Sequence, residues 1–249
     1  MTEQSGRAWF LRCGAEDVGE LAVLVGDRGR VTAVAEILAE PVLLNTDRGL
    51  TTVTGRYAGQ RVTVAAFGMG APAAALVLEE LAMLGVRRFL RLGTALAVGG
   101  TGLGDLVLAD GAIRNESTSA SYAPAAFPAV PDPVLYAAVR ARLRDTPRRW
   151  VSGLFASQDG FYTEMVAARP ERAAAVSAHL AELVRYGVRA MDMETSAVLV
   201  AARVLGVRAA SLCLASVTAP ERRRMDGTER ADAELALMRT GLDALTVPG

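Results

Sequence analysis

Hydrophobic runs along the chain switch repeatedly between a strand-like and a helix-like pattern. Leu21–Val25 (LAVLV) is apolar at every position, as a strand buried on both faces would be, and 28–38 (RGRVTAVAEIL) has the spacing of an amphipathic helix. Val42–Leu44, Thr51–Tyr57 and Arg61–Phe67 read as strands, the last two joined by a turn at Ala58-Gly59. Pro72 opens a helix over 73–84 and Gly85 closes it, which follows the usual placement of proline first and glycine last. Strands follow at 88–92 and 105–113, a helix at 133–144, a strand at 150–157 and a helix at 170–186. The pattern ends with a helix over 193–205, a strand over 207–215 and a helix over 228–245. Residues 116–133, rich in Ser, Ala and Pro, read as a loop inside the domain. Strands apolar on both faces and alternating with helices predict an α/β protein, with one mostly parallel or mixed sheet covered by helices. At 249 residues, with no internal repeat or linker, the chain is expected to be a single domain, 1–249.

Composition narrows the chemistry. With 27 basic and 27 acidic side chains the formal net charge is zero, so neither nucleic acid nor a membrane surface is an expected partner. No apolar run reaches the ~20 residues of a membrane crossing, and the first residues lack the apolar stretch of a signal peptide. Cys13 and Cys213 are too far apart for a zinc or redox spacing, and a reduced, cytoplasmic location is the expectation. Every basic side chain other than His179 is arginine; there is no lysine. Walker-type ATP binding, Schiff-base chemistry and Ser-Lys catalysis therefore have no candidate residue. His179 is the single histidine and no G-x-S-x-G elbow is present, so a histidine-based metal site is excluded and His179 is read as a packed or solvated helix residue.

Ligands of such folds gather in the turns after the strands. Three turns are unusual. Gly26-Asp27-Arg28-Gly29-Arg30 offers a close backbone approach, a helix N-terminus and the fork of Arg30 to an anion; a tight turn with solvated arginines is the plainer alternative. Arg91-Leu92-Gly93-Thr94 puts an arginine at the inner end of a strand, where it needs an anionic partner. Met191-Asp192-Met193-Glu194 opens a helix, so its carboxylates either cap that helix or accept hydrogen bonds from a sugar diol. A fourth turn, Gly68-Met69-Gly70-Ala71-Pro72-Ala73, matches the dinucleotide pattern G-x-G-x-x-A. The next strand ends in Arg91 and Gly93, with none of the acidic residues that would hold a ribose hydroxyl.

Together, VGDRGRV, LNTDRGLTT, GMGAP, EELAMLGVRRFLRLGT, GLGDLVLADGAI, YAPAAFPAVPD, SQDGFY and MDMETSAVL resemble the nucleoside phosphorylase family, uridine phosphorylase most of all, in order and spacing over nearly the whole chain. The resemblance implies a three-layer α/β/α fold with a mixed, partly closed central sheet. It implies a homodimer, often built into a hexamer as a trimer of dimers, and a reaction with inorganic phosphate as co-substrate; nothing in the sequence suggests a cofactor or metal. In the family, Gly26, Arg30, Arg91 and Thr94 would match the phosphate site, with Arg48 lent across the dimer interface. Thr94, Phe161, Met193 and Glu194 would hold the nucleoside, Glu194 through the sugar hydroxyls; Arg30, Arg91 and Glu194 are the candidate catalytic residues.

The base end departs from the pattern. Met165 and Ala167 stand where uridine phosphorylases read the uracil edge with glutamine and arginine, and Leu96 replaces a glycine. SVTAPERRRMDG takes the place of a late arginine loop. Leu11 replaces a histidine that reaches the neighbour's sugar, and Gly49 an acidic residue used by potassium-binding relatives. The implied activity is phosphorolysis of a nucleoside with an altered base or 5′ end. A nucleosidase that uses water and a non-catalytic nucleoside binder are the alternatives.

Overall fold

Leu21–Val25 forms strand β1, and its two-sided apolar pattern has a direct cause. Leu21, Val23 and Val25 pack into one hydrophobic cluster, Ala22 and Leu24 into another on the opposite face of the sheet. The computed structural model describes residues 6–219 and 221–247. The other strands are β2 (Ala39–Asn45), β3 (Thr52–Tyr57), β4 (Gln60–Ala66), β5 (Arg88–Ala97), β6 (Leu106–Asn115), β7 (Trp150–Gln158), β8 (Val188–Asp192) and β9 (Arg208–Thr218). The α-helices are α1 (Arg28–Ala35), α2 (Ala71–Met83), α3 (Pro133–Leu143), α4 (Ala173–Arg185), α5 (Thr195–Val204) and α6 (Gly227–Leu245).

All nine strands join one mixed sheet in the order β2-β3-β4-β1-β5-β8-β7-β6-β9, and a further pairing of β5 with β9 closes its second half into a ring. β5 makes this possible by its length. Its first half runs parallel to β1 from Arg88 to Arg91, Leu96 and Ala97 pair antiparallel with β8, and its whole length pairs with β9. Ala95, Ala97, Val107, Ala109, Phe155, Ala190, Cys213 and Ala215, drawn from all five ring strands, pack together; mostly small side chains suit so narrow an interior. Helices α1, α3 and α6 pack on one face of the sheet, α2 and α5 on the other, giving the expected three-layer α/β/α arrangement with a partly closed sheet.

The structure corrects several predicted boundaries. α1 ends at Ala35 rather than 38, and α5 starts at Thr195 rather than 193. The segment at 170 begins with a 3-10 turn, Pro170–Arg172, before α4. β5 runs on five residues past Leu92, and β8 was not anticipated. The connection between β6 and α3, residues 116–132, holds a short 3-10 turn, Thr118–Ser121, and an isolated antiparallel bridge of Ala129 to Ala112.

Candidate active site

A cavity of about 630 Å³ opens where β1, β5, β8 and β9 end, and every residue singled out for the anion or the nucleoside lines it: Gly26, Arg30, Arg48, Arg91, Thr94, Phe161, Met193 and Glu194.

Arg91 lies at its floor. The alternation of β5 turns Arg91 away from Leu90 and Leu92, which pack under the α1/α6 layer, and toward the ring strands. It is 2 % exposed, and the anionic partner such a burial requires is double. Nη1 lies 3.1 Å from Asp192 Oδ2, and Nη2 donates to Glu194 Oε2. Nη1 also donates to Cys213 Sγ at 2.7 Å. Burial opposes the guanidinium charge, but the Cys213 sulfur, Asp192 and Glu194 more than offset it and hold Arg91 above its ordinary value. Gly93 is required beside it, because a Cβ there would lie 2.3 Å from Arg91 Nη1.

The two carboxylates of the MDMET turn divide the roles that the sequence left open. Asp192 is the helix cap: both its oxygens accept from Thr195 N, at 3.1 and 3.3 Å, and it also accepts from the Thr195 hydroxyl and, at 2.7 Å, from Ser157 Oγ. Glu194 makes no capping bond and turns into the cavity, where Oε1 accepts from Gly70 N at 2.8 Å. The glycine turn that mimics a dinucleotide fingerprint thus presents an N–H to Glu194. Gly70 adopts φ +98°, which favours a glycine.

Arg30 is buried on the first turn of α1 and donates from Nη1 to Leu92 O at 2.9 Å. Its Nε, like that of Arg91, is buried and meets no acceptor among the described residues. Burial pulls Arg30 below its ordinary value; Glu234 on α6 partly offsets this, and the charge of Arg91 adds to it. Asp27 caps α1 through Gly29 N at 2.9 Å. Arg48 is exposed at the cavity edge in a left-handed conformation (φ 55°), its guanidinium 5.6 Å from the centre of the Phe10 ring. Arg28 and Arg230 also reach the lining, so five guanidiniums face three carboxylates, Asp27, Asp192 and Glu194. That excess of positive charge suits an anion.

The far end is apolar, with Leu96, Phe161, Met165, Met191, Met193 and Val217. Phe161 and Met165 belong to a single π-helical turn, Phe161–Met165. Met165 lines the cavity, whereas Ala167 lines a smaller hollow beside it. Leu11 is fully buried in the α2/α5 layer. His179 is paired with Gln158, 2.9 Å away, outside the cavity lining. Sequence reasoning did not assign Asp192, Gly70, Cys213 or Arg230 to this site. Asp192 was weighed only as a cap or diol acceptor, and nothing in the sequence marks the contact of Cys213 with Arg91.

Residues 20–240 match the family model of the phosphorylase superfamily. The chain belongs to that superfamily. It is 32 % identical over 198 residues to a guanosine phosphorylase of Halorubrum lacusprofundi, covering 79 % of this chain and 78 % of that one. It is 33 % identical over 216 residues to a uridine phosphorylase of Treponema pallidum, covering 86 % and 83 %. A crystal structure of uridine phosphorylase from Vibrio fischeri superposes with a TM-score of 0.86 over 98 % of each chain at 24 % identity, a likeness of fold. Superfamily membership agrees with the resemblance carried by the sequence motifs.

Proposed function

We propose that this protein catalyses phosphorolysis of a nucleoside, releasing the free base and a pentose 1-phosphate, as a pentosyltransferase of the nucleoside phosphorylase type. The observation that carries the reading is the gathering of Arg30, Arg48 and Arg91, from three separate segments, around the cavity that also holds Glu194. Relatives named uridine and guanosine phosphorylases support it.

In this reading Gly26, Arg30, Arg91 and Thr94 hold inorganic phosphate, the only co-substrate, with Arg48, which the resemblance lends across the dimer interface but which here lines the cavity of its own chain; no cofactor or metal takes part. Thr94, Phe161, Met193 and Glu194 hold the nucleoside. A carboxylate has about four acceptor sites, so Glu194 can stay fixed by Arg91 and Gly70 while it takes the sugar hydroxyls. A phosphate oxygen forms its bond to C1′ as the C1′–N bond breaks and its electron pair leaves with the base. The protein's contribution is positioning and charge: fixed guanidiniums keep the nucleophile beneath C1′, and little covalent chemistry is left for side chains.

The apolar far end takes the base. Neither Met165 nor Ala167 offers a donor side chain to a uracil carbonyl, and each polar group buried without a partner costs roughly 1–3 kcal/mol. A base other than plain uracil, or a modified 5′ end, suits this site better. Leu11, buried in the core, is not placed to serve a neighbour's sugar.

The partners in this reading are the nucleoside, phosphate and a second copy of the chain, with dimers assembling further into hexamers. Exposed apolar groups support association: Val42 and Leu43 on the edge strand β2 are 53 % and 61 % exposed, and Met69 at the cavity is 86 % exposed. No helix of the described residues is long and apolar enough to cross a membrane. Two unpaired cysteines fit a reducing, cytoplasmic setting.

Incubation of the protein with a panel of nucleosides, with and without phosphate, tests the reaction. Pentose 1-phosphate formed in equal amount to free base supports it. Free pentose formed without phosphate identifies a nucleosidase, and binding without turnover a non-catalytic relative.

A further inference from the structure

The apolar end of the cavity does not stop at Met165. Behind that side chain lies a second hollow of about 70 Å³, walled by Met165, Ala167, Val176, Leu180, Thr218 and Arg222 among others. Met165 is 3 % exposed and lines both spaces, so it stands as the partition between them. It is an unbranched thioether with several rotatable bonds, the kind of side chain that can move aside without strain.

The polar groups of the hollow are unevenly satisfied. Arg222 donates from Nη2 to the Ala167 carbonyl, which occupies one of its five donors. The backbone of Thr218 is paired on both sides: its N–H donates to Arg223 O at 3.0 Å, and its carbonyl accepts from Arg222 N at 3.0 Å. The Thr218 hydroxyl, in contrast, is buried and has no hydrogen-bond partner among the described residues. A hydroxyl can donate one hydrogen bond and accept two, and native proteins rarely leave one unused.

Building on the phosphorolytic reading, we propose that this hollow is a base-substituent subsite. The preferred leaving base carries, at the edge that meets Met165, a small alkoxy or alkylamino group whose heteroatom pairs with the Thr218 hydroxyl and whose carbons enter the hollow. The size follows from the volume. About 70 Å³ leaves room for a small substituent such as an ethyl group. The chemistry follows from the walls, which are aliphatic apart from Thr218, Arg222 and Ser177 at the α4 side.

The test compares inosine with 6-ethoxypurine riboside, and uridine with 4-ethoxypyrimidin-2-one riboside, in phosphate-dependent base release by the full chain. The subsite predicts that kcat/KM for at least one ethoxy compound exceeds that of its parent by about tenfold or more, the worth of roughly one hydrogen bond plus the buried ethyl group. Thr218→Val keeps the shape, removes the hydroxyl and should cut this advantage about three- to tenfold. Ser177→Leu fills the hollow from outside the main cavity; it should abolish the advantage while turnover of the parent nucleoside stays as in the wild type. Each variant is read as a ratio between two substrates, so partial misfolding cancels. Parents equal to or better than both ethoxy compounds, or a Ser177→Leu effect shared by parent and derivative, would overturn the subsite. Should no nucleoside be cleaved, it is the phosphorolytic reading that fails. Calorimetric affinities of the same four ribosides then decide the subsite by the same ratios.

Discussion

Arg91 Nη1 and Asp192 Oδ2 lie 3.1 Å apart with both side chains almost wholly buried, and the same aspartate caps the helix that presents Glu194. One carboxylate therefore ties the position of the guanidinium to that of the carboxylate it meets across the cavity floor. Removing one partner of a buried ion pair leaves an uncompensated charge, which costs far more than the intact pair contributes. Asp192→Ala is expected to destabilise the fold by about 3–5 kcal/mol, with loss of the Thr195 cap included. Urea unfolding measures this; a change below about 1 kcal/mol would show that Glu194 alone satisfies Arg91.

Arg30 makes a different prediction, because its guanidinium donates to a neutral carbonyl, Leu92 O, and the charge of Glu234 only partly offsets its burial. Its Nε is unpaired among the described residues. Arg30→Met should therefore leave the fold intact and raise the KM for phosphate on the order of 10- to 100-fold, the worth of one charged hydrogen bond. The KM for nucleoside should change little. Steady-state rates with each substrate varied in turn separate the two, and an equal rise in both constants would remove Arg30 from the anion site.

Arg91 was legible in the sequence because a charge inside an apolar strand is conspicuous, and MDMET because two carboxylates at a helix start demand a reason. That these two segments meet came only from the family resemblance, since contact between Arg91 and Glu194 depends on β5 and β8 joining one sheet, which the hydrophobic pattern does not show. β8 itself escaped notice: five residues entered through Gly187 and leading directly into α5 carry too little pattern to separate from the helices around them. Gly93-Thr94 read as a turn because glycine usually ends a strand. Here Gly93 stays within β5, where it leaves room for the Arg91 guanidinium. Arg230 carried no sequence signal of its own: it pairs with Glu234 four residues on, as on any solvated helix face, and only the packing of α6 on β5 and β9 brings it to the cavity.

Alkaline pH should weaken the protein through Cys13. The thiol is fully buried, and burial first, then the charge of Asp17, pushes it up from 9.0 to about 11. Its folded pKa is thus above the unfolded one. The stabilising contribution is complete below pH 9 and is lost as pH rises toward 11, by at most about 1.4 kcal/mol per pH unit. Urea midpoints at pH 8, 9.5 and 11 should fall more steeply for the wild type than for Cys13→Ala. Tyr57, pushed up to about 12 by burial and by its bond to Asp243, acts in the same direction in both proteins, so the difference isolates the thiol. Parallel slopes would mean that Cys13 ionises in the folded state as it does in the unfolded chain.

Gly26 concerns how closely two turns may approach. A Cβ at Gly26 would lie 2.8 Å from Gly68 O and 3.5 Å from Arg30 Nη2, while Gly68 N already donates to Gly26 O at 3.0 Å. The turn after β1 and the turn after β4 therefore touch backbone to backbone, and the second of them carries the Gly70 N–H that holds Glu194. Gly26→Ala must push these turns apart, at a cost of about 1–3 kcal/mol for overpacking. The displacement falls on the anion side first, so the KM for phosphate should rise several-fold more than the KM for nucleoside. Gly59→Ala is the matching control: it sits in a hairpin turn at φ +78° with open space around it, and should cost only about 1–2 kcal/mol of backbone strain with both constants unchanged. Unfolding curves and substrate titrations of the two variants settle the point. If Gly26→Ala loses stability yet binds phosphate as the wild type does, the glycine serves the packing of the two turns alone.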